Sequence, residues 1–272
     1  MEIFNAPDGT PLACHRTGDG NPLVVVPGGP MQAAAYLGDL GGLTARHPAV
    51  LLDLRGTGES AAPADPATYR CDRQVDDVEA LRVHLGLERI DLAAHSAGAA
   101  IALQYAARFP GRIARLLLIT PSPYVAGVEI FVADRRAVAE QRSGEPWFPD
   151  AFAALERLWS GGDADRSEIA PFIYGGRAAF GEELQNTTAA AAYYADGAVD
   201  PPAVREALAA LDVPVLVIAG EWDLQLPPSR AAEYAALFPK GEMVVQPGAA
   251  HFPWLDDPAW FARTAGEWLN RR

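Results

Sequence analysis

The chain has 272 residues, 50% of them hydrophobic, and its 22 Lys and Arg against 35 Asp and Glu give a formal net charge of −13. This length suits one α/β domain with a sizeable core and an insertion, not two unrelated domains. The acidic balance and the lack of a basic run argue against nucleic acid and anionic membranes as partners, because the positive footprint such binding needs is missing.

Short apolar runs alternate with helical patterns along the chain, which predicts an α/β fold: a mostly parallel sheet with helices on both faces. Met1 to Asn5 has neither a basic flank nor a long apolar stretch, and no run of about 18 apolar residues occurs, so a soluble cytoplasmic protein is expected. Strands are predicted at Glu2 to Asn5, Leu12 to Arg16, Leu23 to Val26, Val50 to Asp53, Ile90 to Ala94, Arg115 to Thr120, Val213 to Ala219 and Met243 to Gln246. That makes about eight. Asp72 to Leu85 carries Val75, Val78, Leu81 and Leu85 at helical spacing and ends at Gly86, a residue suited to a left-handed cap. The last helix is predicted to open at Asp257-Pro258 and to bury Phe261, Ala265 and Trp268.

From Ser122 to Val204 the strand rhythm stops, for longer than a plain loop in a compact domain allows. The expectation is a helical cap at 122–204 over a core formed by 1–121 and 205–272. Its apolar stock is Trp147, Phe148, Phe152, Trp159, Phe172, Tyr174, Phe180, Tyr193 and Tyr194. Most of these rings are expected to hold the cap together and a minority to face a pocket over the strand ends. Trp147, Phe148 and Tyr174, with Trp254 beyond the late strands, are the candidates for substrate contact. Cys14 and Cys71 have no second sulfur at ligand spacing and are read as structural, so neither a disulfide framework nor a metal site is expected. Lys240 is the only lysine, which disfavours Schiff-base chemistry, and the excess of arginine and alanine fits a GC-rich bacterial source.

The chemistry centres on Ser96. In Ile90 to Ala100 an apolar strand meets a serine flanked by small residues and then an alanine-rich helix, with Ala94 two before the serine and Gly98 two after. A sharp strand-to-helix turn needs such small neighbours and exposes the hydroxyl at its tip. Taken alone the triplet fits a buried serine in a tight turn equally well. Two later segments add partners in the order Ser, Asp, His: Asp223 just past the run Val213 to Gly220, and His251 on a loop after Glu242 to Gln246. A serine hydroxyl needs a base, and the base an orienting carboxylate, so the expected roles are Ser96 nucleophile, His251 base then acid, and Asp223 orienter. His95, adjacent to the serine, is given a structural role; His47 and His84 read as solvated or capping residues. Asp256 and Asp257 are expected to begin the final helix, and Asp53, beside Arg55, to make a structural ion pair or turn contact. Ala97, next after the serine, supplies one oxyanion donor.

Pro27-Gly28-Gly29-Pro30, Asp53 to Ser60, the Ser96 elbow, the Asp223 loop and His251-Phe252-Pro253-Trp254 together resemble the α/β-hydrolase superfamily, and within it the cap-bearing proline-iminopeptidase-like branch. Pro27 stands where that branch has a histidine and Met31 where it has a glycine, while the elbow looks more like that of general esterases. The resemblance implies the α/β-hydrolase fold, a backbone oxyanion donor at Gly29, a structural turn at Arg55 to Ser60 in place of a phosphate cradle, and no cofactor. Iminopeptidase activity would require an anionic pocket for a free amino terminus; Glu182 and Glu183 are its candidates, although both also read as exposed helix carboxylates. The expected function is hydrolysis of a small-molecule amide, peptide or ester through an acyl-enzyme. The alternatives are a lactonase, thioesterase or carbon-carbon bond hydrolase of a secondary metabolite, or a ligand-binding or cyclase-like relative that hydrolyses nothing. Serine at the elbow disfavours epoxide hydrolase and dehalogenase chemistry, which use aspartate there.

Overall fold

The computed structural model describes residues 1–271. Eight strands form one sheet: β1 (Glu2–Asn5), β2 (Pro11–Thr17), β3 (Leu23–Val26), β4 (Ala49–Leu52), β5 (Ile90–His95), β6 (Ile113–Ile119), β7 (Val215–Gly220) and β8 (Gly241–Gln246). Their spatial order is β1-β2-β4-β3-β5-β6-β7-β8. β1 and β2 pair antiparallel with their neighbours, and every pairing from β4 to β8 is parallel. The central strands are apolar on both faces because helices cover both.

The pleat sorts their side chains. Leu92, Leu116, Val215 and Val217 enter one core with helices α1 (Val75–His84) and α2 (Ala99–Arg108), whereas Ala93, Leu117, Leu216 and Ile218 enter a second on the opposite face. α1 starts at Val75, later than the hydrophobic spacing implied, because Arg73 and Gln74 donate to the Arg70 carbonyl in a preceding turn.

Between β6 and β7 lie α3 (Val132–Ala139), α4 (Phe148–Trp159), α5 (Arg166–Ile173), α6 (Thr187–Tyr193) and α7 (Pro201–Ala209). Val138, Ala151, Leu155 and Phe172 form a small core of their own that reaches Leu224 after β7. Ala189 and Tyr193 of α6, with Val204 and Leu208 of α7, belong instead to the α2 side of the main core. A boundary at residue 204 therefore cuts through α7, a helix packed against α2. The chain finishes with α8 (Pro228–Ala235), α9 (Pro253–Asp256) and α10 (Pro258–Leu269). Asp257 caps α10 by accepting the Trp260 N–H at 3.0 Å, and Phe261, Ala265 and Trp268 are buried. Among the described residues no helix is long and apolar enough to cross a membrane.

Candidate active site

Ser96 follows directly on β5 with φ of 49°, a left-handed conformation that costs a non-glycine residue energy and turns its hydroxyl out of the sheet. The turn is clasped from the β3 side. A Cβ on Gly98 would lie 2.5 Å from the Pro27 carbonyl oxygen, so only glycine lets the start of α2 approach that strand end. Gly28 is equally confined, with the place of its Cβ 2.7 Å from the His95 carbonyl.

His251 lies in the loop after β8, with Nε2 2.9 Å from Ser96 Oγ and Nδ1 3.1 Å from each Asp223 carboxylate oxygen. A carboxylate only accepts, so Nδ1 carries the proton and Nε2 is left to accept the Ser96 hydroxyl. Asp223, 1% exposed, is steadied by the Gln225 N–H at 2.8 Å. The three residues that the sequence singled out are thus one hydrogen-bonded row.

His95 has a definite place beside that row. Its Nε2 lies 3.0 Å from the His251 carbonyl, which Thr120 Oγ1 also reaches at 2.9 Å. A carbonyl cannot donate, so His95 Nε2 holds the proton and Nδ1 accepts from Tyr36 Oη at 2.7 Å. Tyr36 Oη in turn accepts the Gly28 N–H at 2.7 Å. Burial, reinforced by the charge His251 can carry, holds the His95 pKa well below 6.5, and the ring stays neutral. This chain ties the Gly28 loop to the backbone of His251.

A cavity of about 350 Å³ opens on Ser96 and His251, and Gly29 and Ala97 both line it. Among the described residues the amides of Gly29 and Ala97 donate to no protein acceptor. The remaining wall includes Ser122, Tyr194, Gln225 and, from one face of α5, Arg166, Ile169 and Ile173.

None of the four rings expected to touch substrate lines this cavity. Trp147 meets the Phe172 edge at 4.9 Å and carries the Arg142 guanidinium at 4.8 Å, Phe148 stacks on Phe152, and Tyr174 stacks on Phe252. Trp254 packs its edge on His95 in the core. Each ring had an apolar neighbour to bury against, and that burial outweighs exposure to a wet cavity. Glu182 and Glu183 are exposed and off the cavity wall, Glu182 facing Arg166 at 3.4 Å. The spacing of Arg166, Ile169 and Ile173 on one helical face was the signal for the true wall.

Other acids and histidines serve structure. Asp53 bonds His15 Nε2 at 2.8 Å and accepts the Ala34 and Glu59 amides, while Arg55, its sequence neighbour, pairs with Asp77 and Asp8. Asp256 ends α9, short of the final helix, and accepts the Ala250 N–H at 2.8 Å, bracing the residue before His251. His84 stacks on Phe4, and His47 sits against Gly266 with its pKa lowered by burial.

Residues 21–258 match the family model described as the alpha/beta hydrolase fold. The chain belongs to the α/β-hydrolase family. A proline iminopeptidase of Heyndrickxia coagulans is 23% identical over 281 residues, covering 94% of this chain and 92% of that protein. Among solved structures, a thermophilic esterase from Thermogutta terrifontis superposes with a TM-score of 0.68 at 27% identity, covering 98% of this chain and 97% of the other. The enol-lactonase of Burkholderia xenovorans LB400 shares the fold with a TM-score of 0.65 at 22% identity, over 99% of this chain and all of that one, 100%. This α/β-hydrolase thus resembles proteins named for different activities, and the fold alone does not choose among them.

Proposed function

We propose that the protein is a serine hydrolase acting on a small ester, with Ser96 as nucleophile. The observation that carries the reading is the continuous row from Asp223 through His251 to the Ser96 hydroxyl, open to a cavity on the serine side. Ser96 Oγ attacks the substrate carbonyl as its proton passes to His251 Nε2, and Asp223 stabilises the imidazolium that results. The unpaired Gly29 and Ala97 amides donate to the developing oxyanion. His251 then protonates the leaving oxygen, and a water, deprotonated by the same nitrogen, releases the acid from the acyl-enzyme. Helices α3 to α5 act as the cap, restricting water and substrate access.

An ester fits better than a peptide with a free amino terminus. Among the described residues the one permanently charged side chain on the cavity wall is the cation Arg166, so an ammonium group would meet no counter-charge on that wall. The test is labelling with a fluorophosphonate followed by intact-mass measurement. Wild-type protein is expected to gain one phosphonyl group and Ser96→Ala none; labelling that survives in Ser96→Ala rejects the assignment.

A further inference from the structure

A second cavity, of about 280 Å³, adjoins the first and shares Ile169, Ile173 and Gln225 with it. Its wall is otherwise apolar, with Leu155, Leu158, Trp159, Phe172 and Leu224, except for Arg135 of α3. The Arg135 Nε donates to the Leu224 carbonyl at 3.2 Å, which fixes the guanidinium, yet among the described residues the group has no carboxylate partner. The acids whose charge it feels are engaged elsewhere: Asp134 pairs with Arg230 at 2.9 Å, and Asp223 holds His251.

The neighbouring arginines show how unusual this is. Arg136, Arg142, Arg157, Arg166 and Arg177 each pair with a carboxylate of this protein, Glu156, Glu145, Glu168, Glu182 and Asp256 respectively. Arg135 alone in this stretch is half-buried with no carboxylate in contact among the described residues, and burial lowers its pKa despite the more distant charges of Asp223 and Asp134. A cation held in an apolar chamber costs free energy that an incoming anion recovers, and the planar guanidinium matches a carboxylate.

Resting on the serine hydrolase reading, we infer that the substrate is an ester bearing a carboxylate at the far end of an apolar spacer, the carboxylate docking on Arg135 while the scissile carbonyl sits at Ser96. The spacer lies along Ile169 and Ile173, the two apolar residues among the three common to both cavities.

The test compares kcat/KM for matched aryl esters of adipate, pimelate and suberate, each as the free ω-carboxylate and as its neutral ω-methyl ester, alongside a second series with the carboxylate on the alcohol. Wild-type protein is expected to prefer the carboxylate partner by about 10- to 100-fold at one spacer length, Arg135→Gln to lose that preference, and Arg135→Lys to keep part of it, as expected for a charged hydrogen bond. No preference in either series, or an equal preference in Arg135→Gln, overturns the inference; a merely structural Arg135 lowers both partners alike and leaves their ratio unmoved. Calorimetric binding of free adipate and suberate to Ser96→Ala, with and without Arg135→Gln, reads the site without turnover. Binding that disappears with Arg135 while fluorophosphonate labelling fails would sink the hydrolase reading and spare the anion site; labelling without Arg135-dependent binding or preference does the reverse.

Discussion

Tyr36→Phe removes one oxygen atom and leaves the ring's packing in place, against Phe252 at 6.2 Å and His95 at 5.6 Å. That oxygen accepts the Gly28 N–H and donates to His95 Nδ1, both at 2.7 Å, in a region closed to water. Its loss strands a buried donor and a buried acceptor, each worth about 1–3 kcal/mol when left unpaired, for a sum of roughly 2–6 kcal/mol. In a chain of this size each kcal/mol moves Tm by about 2–4 °C, so a fall of roughly 4–24 °C is expected by calorimetry or thermal circular dichroism. Gly28 precedes the proposed oxyanion donor Gly29, and loosening it is expected to lower kcat on the order of tenfold, less than the loss of a whole donor costs. A Tm within about 2 °C of wild type would refute the reasoning, because it would mean that the hydroxyl chain contributes nothing to holding these loops.

Asp223→Asn keeps the shape of the row but deprives the His251 imidazolium of its counter-charge, and kcat for an activated ester is expected to fall by about 10⁴ with the acylation step limiting. Gly98→Ala drives a methyl into the Pro27 and Val26 carbonyls at 2.5 and 2.7 Å; chemical denaturation is expected to show a loss of about 1–3 kcal/mol, together with slower fluorophosphonate labelling as the elbow shifts. His95 binds its proton in the unfolded chain near pH 6.5 but resists it when folded, so its contribution to stability is present above about pH 6.5 and is lost as the pH falls below that value. The slope is at most about 1.4 kcal/mol per pH unit, and Tm measured from pH 8 to 5 is expected to fall less steeply in His95→Gln; His47, shifted in the same direction, is present in both proteins and cancels.

The sequence by itself determined the sheet and the chain order of the three residues in the hydrogen-bonded row. Eight short runs bounded by turn residues fell within a few residues of the eight strands, and the central ones are β-branched or alanine-rich because burial on both faces leaves such a strand little choice of composition. Ser96, Asp223 and His251 were legible for a related reason: each sits just past a strand end, and the requirements of a tight turn or a loop mark such positions in the chain itself.

Only the tertiary structure decided which side chains face the cavity. Trp147, Phe148, Tyr174 and Trp254 are as apolar as the wall residues Ile169 and Ile173, and whether a ring turns toward a pocket or toward another side chain depends on how its neighbours pack, two of them distant in sequence, Phe252 for Tyr174 and His95 for Trp254. The same holds for charge. Six arginines between β6 and α6 look alike in the chain, and five are neutralised by carboxylates up to 79 residues away, Arg177 by Asp256 being the farthest. Arg135 stands apart because, among the described residues, folding brings no carboxylate into contact with it, a property of three-dimensional placement that local sequence does not encode.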